Sequence, residues 1–263
     1  MTNLPLENFT YTTKKHERSL IAKLFPSLHF YTRFVTIILR SSMKARRGEY
    51  GDKQWGDSSQ AVLHYLEDIG VHIRISGLEH LEKTTGPCVI IGNHMSFIET
   101  LILPAIILPR RVTFVVKQSL VEYPVFKHIM LSRNPIAVSR TNPRQDLKVV
   151  LEEGVKRLED GMSVVVFPQS TRSHVFDASK MSSIGVKLAK RAGVPLVPLA
   201  LRTDTLKNGP LIKDFGRIDC NRPIRLAFDT PAEVEGRGNE EVQLINSFIE
   251  RKLQEWETET VPW

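Results

Sequence analysis

A histidine is followed five residues later by a carboxylate in the segment Gly92-Asn93-His94-Met95-Ser96-Phe97-Ile98-Glu99, directly after the apolar run Cys88 to Ile91. At about 100° per residue, that spacing in an unbroken helix would leave the two side chains roughly 140° apart. His94 must therefore sit in the turn ahead of the helix. From there its imidazole can fold back over the first turn, donate one ring N–H to Glu99 and keep the other nitrogen free as a base. A second use of Glu99 is written in the same residues. Ser96-Phe97-Ile98-Glu99 fits the S-x-x-E capping box, in which the carboxylate accepts from the Ser96 amide.

Other polar junctions border apolar runs. Asn134 to Arg140 reads N-P-I-A-V-S-R and delivers Arg140 at the end of a strand, while Phe167-Pro168-Gln169-Ser170-Thr171-Arg172-Ser173 follows Val164 to Val166. Arginine holds phosphate bidentately, and hydroxyls and turn amides supplement it. These two junctions are thus candidates for an anion site. Gly193-Val194-Pro195-Leu196-Val197-Pro198-Leu199 differs, because its prolines fix the start of an apolar strand. It is expected to shape a wall.

The elements that must position these residues follow from periodicity. Val71, Ile73 and Ile75 alternate as a half-buried strand, and short apolar runs recur at Cys88 to Ile91, Val112 to Val116, Ile136 to Val138, Val164 to Phe167 and Leu196 to Leu201. Helical segments separate them. The alternation predicts an α/β fold with a mainly parallel central sheet covered by helices on both faces. In such a sheet ligands collect beyond the carboxyl ends of the strands, where the polar junctions fall. Late strands are expected at Arg217 to Asp219 and Ile224 to Phe228. Asn239 is expected to cap a last helix with Val242, Ile245, Ile249, Leu253 and Trp256 inward. Asp57 is expected to cap a helix ending at Gly70, which divides the chain into an N-terminal extension, 1–56, and a domain, 57–263.

Within the extension, Leu20, Leu24, Leu28 and Ile21, Phe25 recur at helical spacing, with Pro26 kinking or restarting the helix. Lys23, Arg33, Arg40, Lys44, Arg46, Arg47 and Lys53 accompany them. Apolar helices flanked by basic residues suit an interfacial membrane anchor; they equally suit an amphipathic helix packed on the domain.

Lys and Arg number 36 against 29 Asp and Glu, a net charge of +7, which calls for an anionic partner. The excess is uneven. Beyond Pro231 eight Glu face only Arg237, Arg251 and Lys252, so the first 230 residues hold 33 basic against 21 acidic side chains. Cys88 and Cys220 are the two cysteines, read as reduced thiols, and they exclude a cysteine-built metal site. No window reaches the roughly 18 apolar residues of a membrane span, and the polar start does not have the form of a cleaved signal.

The ordered set N-H-M-S-F-I-E, N-P-I-A-V-S-R, F-P-Q-S-T-R-S and V-P-L-V-P-L resembles the four blocks of the 1-acylglycerol-3-phosphate acyltransferase family, within the glycerolipid acyltransferases. Lys117-Gln118-Ser119-Leu120 with Pro124 is similar to a lysine-containing segment of that family. The likeness extends from about Asp57 to Thr205. It implies transfer of a fatty acyl group from acyl-CoA or acyl carrier protein to a lysophospholipid hydroxyl, with His94 as general base and Glu99 orienting it. It assigns Arg140, Arg172 and Thr171 to the acceptor phosphate, with Lys117 and Gln169 as further substrate contacts. No metal or cofactor is implied, because the thioester is already activated. The expected partners are a membrane lipid surface, a lysophospholipid acceptor and the acyl donor, at the cytoplasmic face of a membrane as a peripheral or monotopic protein. Nucleic acid is not among them, since no recognition motif accompanies the basic residues.

Four positions depart from the family pattern. Glu99 stands where aspartate is usual, Ser139 where an acidic residue precedes the arginine, and Gln169-Ser170 where Glu-Gly is usual. Loss of two carboxylates should raise the positive potential around Arg140 and Arg172. The acceptor headgroup is then expected to be held differently, as in a related lysolipid or an amino-acid lipid. A thioesterase using water, or a lipid-binding protein on a degenerate scaffold, is the alternative.

Overall fold

The computed structural model describes residues 4–14, 17–169, 171–207, 209 and 215–259. The alternation closes into an eight-stranded sheet of β1 (Tyr11–Thr12), β2 (Ile73–Ser76), β3 (Val89–Gly92), β4 (Val112–Lys117), β5 (Ile136–Val138), β6 (Ser163–Val166), β7 (Leu196–Arg202) and β8 (Ile224–Phe228). Their spatial order is β1-β2-β8-β7-β3-β6-β4-β5. Strands β7, β3, β6, β4 and β5 run parallel, whereas β8 is antiparallel to β7 and β1 to β2. The fold is therefore the expected mixed α/β, mostly parallel sheet flanked by helices. One consequence governs the rest: everything that follows the five parallel strands emerges along one edge of the sheet.

Alternating side chains split the core in two. Ile90 of β3 and Cys88 just before it face a cluster built with α2 (Pro26–Arg46), α3 (Asp52–Asp68) and α5 (Ile98–Ile107), while Val89 and Ile91 face α8 (Pro143–Glu159), α9 (Ile184–Ala192) and α10 (Asn239–Thr258). Shorter helices are α1 (Leu20–Leu24), α4 (Leu78–Lys83), α6 (Gln118–Glu122) and α7 (Lys127–Leu131). Among the described residues no helix is long and apolar enough to cross a membrane.

Pro26 restarts the N-terminal helix, as expected, by occupying the first turn of α2, where its missing N–H costs nothing. The inner face of α2 carries Phe30, Phe34 and Ile38 into the core. At about 1.5–3 kcal/mol for each large apolar side chain removed from water, that burial holds α2 firmly on the domain. The packed-helix reading is thus correct for the inner face. The outer face exposes Leu28, Val35, Leu39 and Met43, and α1 exposes Leu20, Ile21 and Leu24.

Three expectations require correction. The helix expected from Asp57 starts at Asp52, because the Gly51 amide donates to Gln54 Oε1 (3.0 Å) and so acquires a side-chain cap. Asp57 lies inside that helix and pairs with Lys53 Nζ at 2.9 Å, and the helix runs unbroken across position 56/57. The segment Arg217 to Asp219 forms no strand; Ile218 makes an isolated bridge to Leu206, since β3 and β8 already occupy both edges of β7. Asn239 is the first residue of α10, and its cap is Gly238 at φ +80°, where a Cβ would also press within 2.7 Å of Val186 Cγ1. Strand β1, in the polar N-terminal stretch, was not expected. Ser170 lies outside the described residues.

Candidate active site

Gly92 closes β3 beside β7, and a Cβ there would meet the Leu199 carbonyl oxygen at 2.9 Å. Only glycine lets the two strands approach so closely. Just beyond it, Asn93 locks the turn to β7: its Nδ2 donates to Leu201 O and its Oδ1 accepts from Leu201 N, both at 2.8 Å. His94 follows in that turn, ahead of α5, as the spacing required. Its Nδ1 lies 2.5 Å from Glu99 Oε2, and its side chain is 11% exposed against 0% for Glu99. The Phe167 ring stacks on the imidazole, 4.6 Å between centroids and 7° from parallel, so the ring cannot swing away from Glu99 without losing that face.

The two uses of Glu99 prove compatible because its oxygens divide them. Oε1 accepts from Met95 N (2.7 Å) and Ser96 N (2.9 Å), the amide contact of the capping box, and also from Thr203 Oγ1 (2.5 Å). Oε2 is left to the histidine. A fully buried carboxylate holding this many donors is fixed in place. With Nδ1 committed, Nε2 is the imidazole nitrogen that can take a proton.

Gln169 lies against the histidine turn. It is 4% exposed, and its Oε1 accepts from His94 N at 2.6 Å, so it braces the histidine turn from β6. Ser173 N donates to His94 O at 2.9 Å and ties the following loop to the same residue.

Arg140 and Arg172 emerge from β5 and β6 on the same sheet edge. Partial desolvation lowers the Arg140 pKa from the ordinary arginine value, the Arg172 charge lowers it further, and Asp146 opposes both. The two guanidinium groups thus lie close enough for their charges to interact. Arg140 holds φ +61°, a left-handed conformation stabilised by Asp146, whose carboxylate accepts from Ser139 N and Arg140 N at 2.8 Å each. Asp146 thereby supplies a carboxylate beside the position where Ser139 departs from the family. Thr171 is exposed next to Arg172, and Lys117 is exposed at the end of β4.

Behind the His94 turn lies an apolar cavity of about 290 Å³ between α2, α3, α5, β4 and the α6–α7 segment. Phe34, Trp55, Phe97, Phe114 and Phe126 line it. Phe114 approaches Phe167 at 6.5 Å, which connects the cavity wall to the ring stacked on His94. Among the described residues no three His, Cys, Asp or Glu side chains gather as metal ligands would.

Thr203, Asp146 and Phe167 had no role in the sequence reading. A signal for Thr203 existed: Thr203-Asp204-Thr205 is the polar triplet at the end of the Leu196 to Leu201 run, where the strand-end rule points.

A family model described as acyltransferase matches residues 72–202. A 1-acyl-sn-glycerol-3-phosphate acyltransferase of Pseudomonas aeruginosa is 29% identical over 192 residues, covering 73% of this chain and 70% of that protein. The chloroplastic 1-acyl-sn-glycerol-3-phosphate acyltransferase BAT2 of Brassica napus is 30% identical over 127 residues, covering 48% of this chain and 36% of that protein. Among solved structures, the 1-acyl-sn-glycerophosphate acyltransferase PlsC of Thermotoga maritima superimposes with a TM-score of 0.68 at 18% identity, over 92% of this chain and 99% of that one. The matched region spans β2 to β7 and with them His94, Glu99, both arginines and the cavity-lining β4, so residues 72–202 form a domain of the acyltransferase family.

Proposed function

We propose that this protein transfers a fatty acyl group from acyl-CoA or acyl carrier protein to the free hydroxyl of 1-acyl-glycerol-3-phosphate. The observation that carries the reading is the shared sheet edge: a buried His94–Glu99 pair, two arginines suited to one phosphate, and an apolar cavity suited to an acyl chain. His94 Nε2 takes the hydroxyl proton as the oxygen attacks the thioester carbonyl. The C–S bond then breaks, and the imidazolium returns the proton to the departing thiolate. Glu99 holds the ring and balances its transient charge, while Arg140 and Arg172, with Thr171 beside them, hold the acceptor phosphate. Lys117 is exposed on the same edge and reaches a phosphate of donor or acceptor.

A transfer assay crossing both donors with a panel of lysolipids tests this. The expected result is preferred acylation of 1-acyl-glycerol-3-phosphate. Preference for a neutral or amino-acid lysolipid would overturn the acceptor assignment, and thioester loss independent of any acceptor would mark a thioesterase.

The same reading places the enzyme peripherally or monotopically on the cytoplasmic face of a membrane. The exposed apolar residues of α1 and the outer face of α2 support it, with Lys23, Arg40, Lys44 and Arg47 near them for anionic headgroups. Leu24→Glu with Leu28→Glu is expected to weaken flotation with anionic phospholipid vesicles at least about tenfold, since each leucine contributes roughly 1.5–3 kcal/mol when buried. Both are surface positions, so folding should be preserved. Unchanged flotation would show that these helices are not the anchor.

A further inference from the structure

We propose that Thr203 is a positioning residue for catalysis, the third point of a mount that lets a glutamate serve where the family usually has aspartate. The proposal rests on the reading of His94 and Glu99 as the catalytic pair. Glutamate is longer than aspartate by one C–C bond, roughly 1.5 Å, and has one more rotatable torsion. It can reach His94 in more than one pose. Two amides of the turn, Met95 N and Ser96 N, fix Glu99 Oε1 from one side. Thr203 Oγ1, 2.5 Å away, reaches the same oxygen from β7, a different element.

The threonine hydroxyl is itself aimed. Ser96 Oγ donates to Thr203 Oγ1 at 2.9 Å, so the Thr203 proton is directed to the carboxylate. Thr203 is 0% exposed. The backbone beyond β7 is anchored as well: Asp204 pairs with Arg222, Thr205 Oγ1 donates to Arg222 O at 2.8 Å, and Asp219 N donates to Thr205 O at 2.8 Å. Asn93 meanwhile clamps Leu201 to the histidine turn. Thr203 is thus held rigidly against Glu99, and its hydroxyl accepts from Ser96 Oγ while donating its own proton to that carboxylate. An aspartate at 99 would draw the carboxylate back and could not satisfy His94, both amides and Thr203 together.

The test is a double-mutant cycle of Glu99→Asp and Thr203→Val on the full chain, with Thr203→Ser and His94→Ala alongside. Thr203→Val is expected to lower kcat roughly 10- to 50-fold with the acceptor KM within about twofold, as loss of one charge-assisted hydrogen bond would. Thr203→Ser keeps the hydroxyl and should retain kcat within about threefold. In the Glu99→Asp background Thr203→Val should change kcat by less than about twofold, a non-additivity that a merely structural residue would not produce. If Thr203→Val does not fold by its melting curve, Ser96→Ala replaces it, with an expected three- to tenfold lower kcat at unchanged KM. A native-like kcat in Thr203→Val, or in Ser96→Ala where that stands in, overturns the proposal, as does full additivity. Near-native activity in His94→Ala is a separate result that removes the catalytic reading and the Thr203 role with it.

Discussion

His94→Ala is expected to abolish acyl transfer, lowering kcat by about 10² to 10⁴, while the protein melts close to the native temperature. The side chain's polar contact is Glu99 Oε2 and its apolar one is the Phe167 ring. After truncation, Glu99 Oε1 still accepts from Met95 N, Ser96 N and Thr203 Oγ1, so the buried carboxyl group keeps most of its partners. The backbone contacts of position 94 to Gln169 and Ser173 survive too. Glu99→Ala would be a poorer probe, because it strands two buried amides and a hydroxyl and confounds chemistry with folding. Initial rates with acyl-CoA and a lysolipid, set beside circular dichroism melts, decide the matter. A folded His94→Ala protein with near-native turnover would remove the histidine from the mechanism.

Arg172→Ala and Arg140→Ala are each expected to raise the acceptor KM about 10- to 100-fold, since a charge-assisted contact to phosphate contributes roughly 1.5–3 kcal/mol. The donor KM should change little. Lysine at either position should recover only part of the loss, because an ammonium cannot reproduce the planar bidentate fork. Arg140 offers a sharper check. Its left-handed backbone depends on Asp146, so Asp146→Ala should also raise the acceptor KM although that carboxylate repels the substrate's phosphate. A fall in KM on Asp146→Ala would mean that its charge outweighs its hold on the turn. Should Arg172→Ala raise the donor KM alone, the arginines would belong to the donor's phosphates.

How much of this was legible beforehand depends on how far each interaction reaches along the chain. The His94 turn could be placed because its geometry is local: five residues and the helical rotation decide that the imidazole precedes α5. The parallel sheet was legible because apolar runs and their polar ends are local as well. Helix α3 began early because its cap is a backbone amide on a glutamine three residues on, a weaker signal than the aspartate at 57. Strand β1 has two residues, too short for any alternation to show. Gln169 was assigned to substrate from its block, yet only the register of β6 beside β3 shows that its amide oxygen faces the His94 backbone. Asp146 gave no such signal, and the polar triplet at Thr203 marked a strand end without showing which residue it would reach. Each acts on a residue brought to it by the fold, and Thr203 does so across 104 positions.

The parallel contact between His94 and Phe167 does more than limit ring rotation. An aromatic face carries partial negative charge, so it attracts a cation placed over it more strongly than a neutral ring. In the proposed mechanism the imidazole is neutral when it awaits the hydroxyl proton and cationic once it holds it. Phe167 therefore interacts most favourably at the moment the proton arrives, which is the condition for an interaction to speed a reaction rather than merely tighten a resting complex. A carbon-only side chain, with no proton to give and no charge of its own, thus becomes part of the electrostatics of the proposed transfer step.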